Sequence, residues 1–128
     1  MESLLSNGIQ ISVFSRYQPA YSRPTEDQYV FSYHIVIKNC RQDTVQLLYR
    51  HWVITNALGE VQEVEGDGVI GQQPVLEPGD VHSYDSWCPL ASPLGSMEGR
   101  YLMVSTETGE NFYAQVPRFQ LESTVMMN

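Results

Sequence analysis

Apolar and polar residues alternate with a period of two along almost the whole chain. Gly8–Tyr17 sets Ile9, Ile11 and Val13 against Gln10 and Ser12. Gln28–Asn39 sets Tyr29, Phe31, Tyr33, Ile35 and Ile37 against Ser32, His34 and Lys38, and Thr44–Asn56 is a third long run, with Val45, Leu47, Tyr49 and Val53 expected on one side. Successive side chains of a strand point to opposite faces, so this alternation in segments rich in Val, Ile and Tyr predicts half-buried β-strands. Shorter runs follow at Glu60–Gly66, Asp80–Trp87, Arg100–Thr106 and Asn111–Phe119. Gly and Pro recur between them, where Gly supplies positive φ and Pro fixes φ for a turn. No capped apolar segment keeps a 3.6-residue period, so no helix of any length is expected. About seven antiparallel strands in such a chain fit an all-β fold of two sheets packed face to face, as in immunoglobulin-like and fibronectin type III sandwiches; a barrel is the other form the pattern permits.

With 128 residues, 42% of them hydrophobic, the chain can bury a core as one domain, residues 1–128, without disulfide or metal staples. The ordered core is expected over about 8–121. Gln18–Asp27, with Pro19 and Pro24, and the tail after Leu121 are expected to be mobile. No apolar run approaches the roughly 20 residues that span a bilayer. The N-terminus Met1-Glu2-Ser3-Leu4-Leu5-Ser6-Asn7-Gly8 lacks the positive and apolar regions of a secretory signal, so a cytoplasmic protein without a membrane partner is expected. Cys40 and Cys88 have no CxxC spacing and no close histidine, which points to two reduced, partly buried thiols rather than a zinc knuckle or redox pair.

Charge sharpens the choice of partner. The net charge is −8, and no Lys or Arg occurs between Arg50 and Arg100, an interval holding Glu60, Glu63, Glu65, Asp67, Glu77, Asp80, Asp85 and Glu98. Nucleic acid demands a cationic footprint that this chain lacks.

The most conspicuous motif is Gly66-Asp67-Gly68-Val69-Ile70-Gly71, which satisfies G-x-G-x-x-G. A phosphate cradle of that type needs a helix after the glycines. Here Gln72-Gln73-Pro74-Val75-Leu76-Glu77-Pro78-Gly79 follows, and its prolines oppose one. Nor is there a Walker lysine, and Glu63, Glu65 and Asp67 would repel a phosphate unless a metal intervened. The glycines are read as shaping a tight structural loop.

In context these residues carry a resemblance. Gly59-Glu60-Val61-Gln62-Glu63-Val64-Glu65-Gly66-Asp67-Gly68-Val69-Ile70-Gly71-Gln72-Gln73-Pro74 resembles the central motif of the ApaG family, and continues through Leu76-Glu77-Pro78-Gly79, Tyr84, Ser86 and Pro93-Leu94-Gly95-Ser96-Met97-Glu98-Gly99-Arg100-Tyr101. Tyr33–Asn39, Leu47–Thr55 and Val116–Phe119 are similar to further strands of that family, so the resemblance covers nearly the whole chain. It implies a fibronectin type III-like sandwich and a link to cobalt resistance and magnesium efflux. It also implies a gene often beside a diadenosine tetraphosphate hydrolase, and an interaction role in related domains of F-box and DNA-polymerase-interacting proteins. It brings no catalytic residues. Trp87 departs from the family, which commonly has a small residue such as glycine there.

Catalysis needs a convergent nucleophile, base and charge stabiliser. His34, His51 and His82 fall on expected strands with no nucleophile elbow, and Cys88 has no local activating partner. The chain is therefore read as a non-enzyme without cofactor. Glu63, Glu65 and Asp67 lie at i, i+2 and i+4, so a strand would gather their carboxylates on one face as a minor candidate metal site; a solvated edge guard is the plainer reading. Arg50 and Arg100 are expected to pair with acidic residues of the interval between them. Tyr17, Tyr21, Tyr84, Trp87, Tyr101, Phe112 and Tyr113 are expected mostly in the core, any left exposed near the glycine loop marking a binding patch. The reading that results is a binding module acting through the loop Gly66–Pro74, with Gly66, Gly68 and Gly71 shaping it, Asp67 and Glu65 giving it charge, and Gln73 beside them. A protein partner is expected first. The alternative is a small ligand, such as a nucleotide or pyrophosphate bridged by Mg²⁺, or a divalent metal itself. A homodimer through an edge strand is compatible with the pattern.

Overall fold

The period-two segments become strands in the computed structural model, which describes residues 1–123. These are β1 (Glu2–Ser6), β2 (Ile9–Tyr17), β3 (Tyr29–Asn39), β4 (Val45–Asn56), β5 (Val61–Asp67), β6 (Val75–Leu76), β7 (Val81–Leu90), β8 (Leu94–Ser105) and β9 (Asn111–Glu122). One sheet has the order β1-β2-β3-β7; the other runs β5-β4-β8-β9, with β6 also paired to β4. Every pairing is antiparallel. The expected two-sheet sandwich is what the chain forms. Among the described residues it has nine strands rather than about seven, because β1 and β6 leave little trace in the sequence. β1 is an edge strand with four of five residues exposed, hence no alternation, and it starts ahead of the expected core boundary at residue 8. β6 has two residues. Among the described residues no helix is long and apolar enough to cross a membrane. Within Gln18–Asp27 the chain makes two 3₁₀ turns, Pro19–Tyr21 and Pro24–Glu26, and Ser22 Oγ donates to the Gln18 carbonyl and accepts from the Val30 amide. Of the tail after Leu121, residues 124–128 lie outside the described residues.

The inward faces of β2 and β3 supply Ile9, Ile11, Val13, Phe31, Ile35 and Ile37, and the facing sheet supplies Leu47, Met97, Tyr101, Met103 and Leu121. Trp52 is the hub of the aromatic packing, with edge-on contacts to Tyr33, Tyr101 and Phe119 at centroid distances of 5.6, 6.3 and 6.1 Å. Such pairs add about 0.5–1.5 kcal/mol each beyond the burial of their area.

That position for Trp52 reverses one expectation. A simple alternation along β4 would put Tyr49 and Val53 on the same side as Val45 and Leu47. The β4–β8 register instead slips between Leu47 and Tyr49. One extra residue in a strand exchanges the two faces beyond it. Past Leu48, Trp52 is therefore buried and Arg50 and Ile54 share its inner side, while Tyr49, His51 and Val53 pair with the outward Asp67, Glu65 and Glu63. A second slip, between Met97 and Gly99 of β8, falls opposite Pro117 of β9. A proline is tolerated there because β9 is an edge strand.

One buried polar side chain ties the sheets' connections together. Asn39 is 0% exposed; its Nδ2 donates to the carbonyls of Asp43 and Leu76 at 2.9 and 3.0 Å, and its Oδ1 accepts from the Arg41 amide at 2.9 Å. The near-isosteric Asn39→Leu leaves these backbone groups unpaired and should cost roughly 2–4 kcal/mol in urea unfolding; a loss within experimental error would show that the three bonds contribute no net stability.

The cysteines are free, Cys40 exposed and Cys88 buried against β3. Burial pushes the Cys88 thiol up to about 11, so it carries little thiolate at pH 8. In the folded protein a thiol-reactive dye at pH 8 should label one cysteine quickly, the second should react only on unfolding, and Cys40→Ser should remove the fast phase.

Candidate functional site

The bulge in β4 leaves the Leu48 carbonyl out of the regular ladder, and the glycine loop is fastened to it. The Gly68 amide and Gln73 Nε2 both donate to the Leu48 oxygen, each at 2.9 Å. On either side, the Leu47 amide donates to the Pro74 carbonyl and Gln46 Nε2 to the Gln73 carbonyl, both at 3.1 Å. From the inner face, Arg50 Nη1 donates to the carbonyls of Asp67 and Gly68 at 2.9 and 3.0 Å. Residues 66–74 are thus laced along Gln46–Arg50 rather than left free.

Each glycine then has a definite reason. Gly66 faces Arg50 across the β4–β5 pair, and a Cβ there would lie 2.9 Å from both terminal guanidinium nitrogens. Gly68 has φ +59°, and a Cβ would run into the Gln72 carbonyl. Val69 and Gln72 exchange both backbone hydrogen bonds, at 2.8 and 3.0 Å, around Ile70 and Gly71, whose φ values are +47° and +72°. Positive φ at both central residues defines a type I′ turn. Val69, beneath it, is buried. The amides of Gly68, Val69 and Gln72 are all engaged inside the protein and β6 follows instead of a helix, so the geometry is that of a structural loop, as the flanking prolines suggest.

The strand does gather the acidic residues on its outer side. Glu63 Oε1 lies 3.1 Å and Glu65 Oε1 3.7 Å from His51 Nε2, whereas Asp67 does not share that contact. Among the described residues no three His, Cys, Asp or Glu side chains converge as metal ligands. Among the described residues Arg50 and Arg100 do not pair with carboxylates as expected: Arg50 turns to backbone carbonyls and Arg100 lies over the Tyr113 ring at 4.2 Å. The bulge accounts for the first, because it turns Arg50 inward, away from the acidic face.

Beside the loop, where β5 and β7 are the free edges of their sheets, a cavity of about 300 Å³ opens between the layers. Arg50 and Trp52 line it from β4, Val64 from β5, Tyr84 and Ser86 from β7, and Val69–Gly71 from the loop. The Tyr84 and Tyr101 hydroxyls are 2.5 Å apart, and burial raises both phenols, as it does that of Tyr33, so all three stay neutral near pH 7. Of the aromatic set, Tyr17, Tyr101 and Phe112 are buried and Tyr84 is half-buried. Trp87 stays 52% and Tyr21 67% exposed; their rings meet edge-on at 5.3 Å. Trp87 and the 61% exposed Ile70 both border the cavity, which joins an exposed aromatic pair to the glycine loop. The inward Arg50 and the cavity were not legible as a site; the one signal was the consecutive pair Leu47-Leu48, which breaks the alternation.

Comparison with known proteins agrees with this architecture. The family model described as the ApaG domain matches residues 19–105. Protein ApaG of Acidithiobacillus ferrooxidans is 44% identical over 128 residues, covering all of both chains, and Protein ApaG of Brucella canis is 46% identical over 122 residues, 95% of this chain and 93% of that one. A crystal structure of a Bordetella pertussis protein described as ApaA superposes with a TM-score of 0.88 at 42% identity, covering 91% of this chain and 94% of the other. The C-terminal domain of Wzt, 9% identical with a TM-score of 0.56, shares the fold alone. The chain belongs to the ApaG family.

Proposed function

We propose that this domain is a non-enzymatic, cytoplasmic binding module whose contact surface is the loop Gly66–Pro74 with the adjoining cavity rim, and that its partner is a protein. The observation that carries this reading is Ile70. A β-branched side chain in the left-handed region costs about 1–2 kcal/mol, yet this one is spent on holding an apolar group in solvent at a turn where Asn would be relaxed. Backbone strain at a loop tip is tolerated where the tip has a task. Together with Trp87 and Tyr21, Ile70 gives an acidic domain an apolar anchor of the kind that dominates protein interfaces. In this reading the link to cobalt resistance and magnesium efflux runs through the partner, since Glu63 and Glu65 turn to His51 and away from the cavity.

Gly68→Val should leave the circular dichroism of the sandwich unchanged and abolish capture of specific proteins from cell extract; a folded variant that captures the same proteins would overturn the proposal. Ile70→Asn should raise stability by about 1 kcal/mol in urea unfolding and weaken that capture. A concentration-dependent rise in melting temperature with ATP or diadenosine tetraphosphate plus Mg²⁺ would instead make the site a nucleotide site.

A further inference from the structure

The chain carries eight acidic residues between Arg50 and Arg100, yet no carboxylate lies within ion-pair distance of Arg50 among the described residues. Its guanidinium lines the cavity between the sheets. Nη1 is satisfied by two backbone carbonyls, while Nε and Nη2 have no protein acceptor among the described residues. A guanidinium presents its donors in a planar fork matched to a carboxylate. Arg50 is partly buried, so water reaches the donors left free, and a ligand that displaces this water must bring an acceptor in its place. The neighbouring phenols bring no negative charge, because burial keeps them protonated despite the favourable field of Arg50.

Much of the rest of the cavity suits an apolar body, with Gln62, Ser86 and Tyr84 as polar groups along its wall. Trp52, Ile54, Val64 and Met97 line it, and Trp87 and Ile70 border it. At about 300 Å³ it lies at the small end of the range of small-molecule sites. A single cation in the cavity lining of a protein of net charge −8 suits a single negative charge better than a phosphate dianion, and the loop amides of Gly68, Val69 and Gln72 are already engaged.

We infer that the cavity binds a carboxylate attached to a compact apolar or aromatic body, with Arg50 as its counter-ion and the body against Trp52 and Trp87. The inference rests on the assignment of the loop and cavity as the contact surface, and names the chemistry recognised there. The carboxylate belongs either to a free small acid or to the end of a partner's chain.

Both tryptophans of the chain line the cavity, so intrinsic fluorescence reads occupancy directly. Phenylacetate should change the emission saturably, and phenylacetamide, with the same body and no charge, should bind roughly ten-fold or more weaker. Arg50→Gln should erase the difference and Arg50→Lys retain part of it. Because Arg50 also supports the loop, the acid–amide comparison on the unaltered protein decides the matter if either variant fails to fold. An acetylated dipeptide ending in a free phenylalanine carboxylate, set against its C-terminal amide, separates the sources: an acid preference with tighter binding than phenylacetate identifies a chain terminus, and an acid preference confined to phenylacetate identifies a free acid. Equal binding of acid and amide overturns the carboxylate assignment, as does tighter binding of phenyl phosphate. No emission change with any of these at up to roughly 10 mM, beyond which affinity carries little specificity, overturns it too. The loop's role as a protein contact fails separately, on the capture experiment with Gly68→Val.

Discussion

The extra residue at Leu48 is the constraint on which the functional end of this sandwich depends. Without the slip in register, the residues beyond it would present their opposite faces, sending Trp52 to solvent and Tyr49 into the layer between the sheets. With it, an indole becomes the hub of the aromatic core, a guanidinium reaches the inner edge, and a backbone carbonyl is freed to receive the glycine loop. Packing and loop position therefore share one local irregularity. Bulges commonly re-aim side chains near sites, and this one does so for three successive inward positions, Arg50, Trp52 and Ile54.

The glycine motif shows why a sequence pattern and the chemistry it suggests can part company. Its spacing matches a phosphate-binding turn, but each glycine answers a local steric demand: room for a guanidinium, clearance from a carbonyl, and the second central position of a type I′ turn. The donors that define a phosphate cradle are used up in holding the turn and in anchoring it to β4. What the loop offers outward is an apolar side chain, Ile70, and what it frames inward is a positive charge among aromatic walls.

Much of the fold was legible because burial enforces alternation. Along β3, Tyr29 to Ile37 read correctly as the inner face, since that strand is central to its sheet and packed on one side throughout. Legibility failed where burial is weak or the phase changes. β1 exposes most of its residues and leaves no pattern, and β6 is too short to have a period. On β4, the alternation holds to Leu47 and then continues on the opposite phase, so a rule counting every second residue assigns Tyr49 and Val53 to the wrong side. The loop and its glycines stood out, but the arginine that supports them could not be placed, because its direction depends on a bulge visible only when the partner strand is known.

The two long sides of the sandwich are unlike. β1 and β2 lie against β9 and join the layers, whereas on the far side β5 and β7 flank the cavity. The molecule is built like a book with a bound spine and a loose fore-edge. Thermal breathing should then be a hinge motion about the spine, with the backbone amides of the fore-edge strands exchanging with solvent well before those of β2 and β8. Anything wedged between the pages at that edge would clamp the covers together, so occupancy of a small cavity would be felt as rigidity along two whole strands.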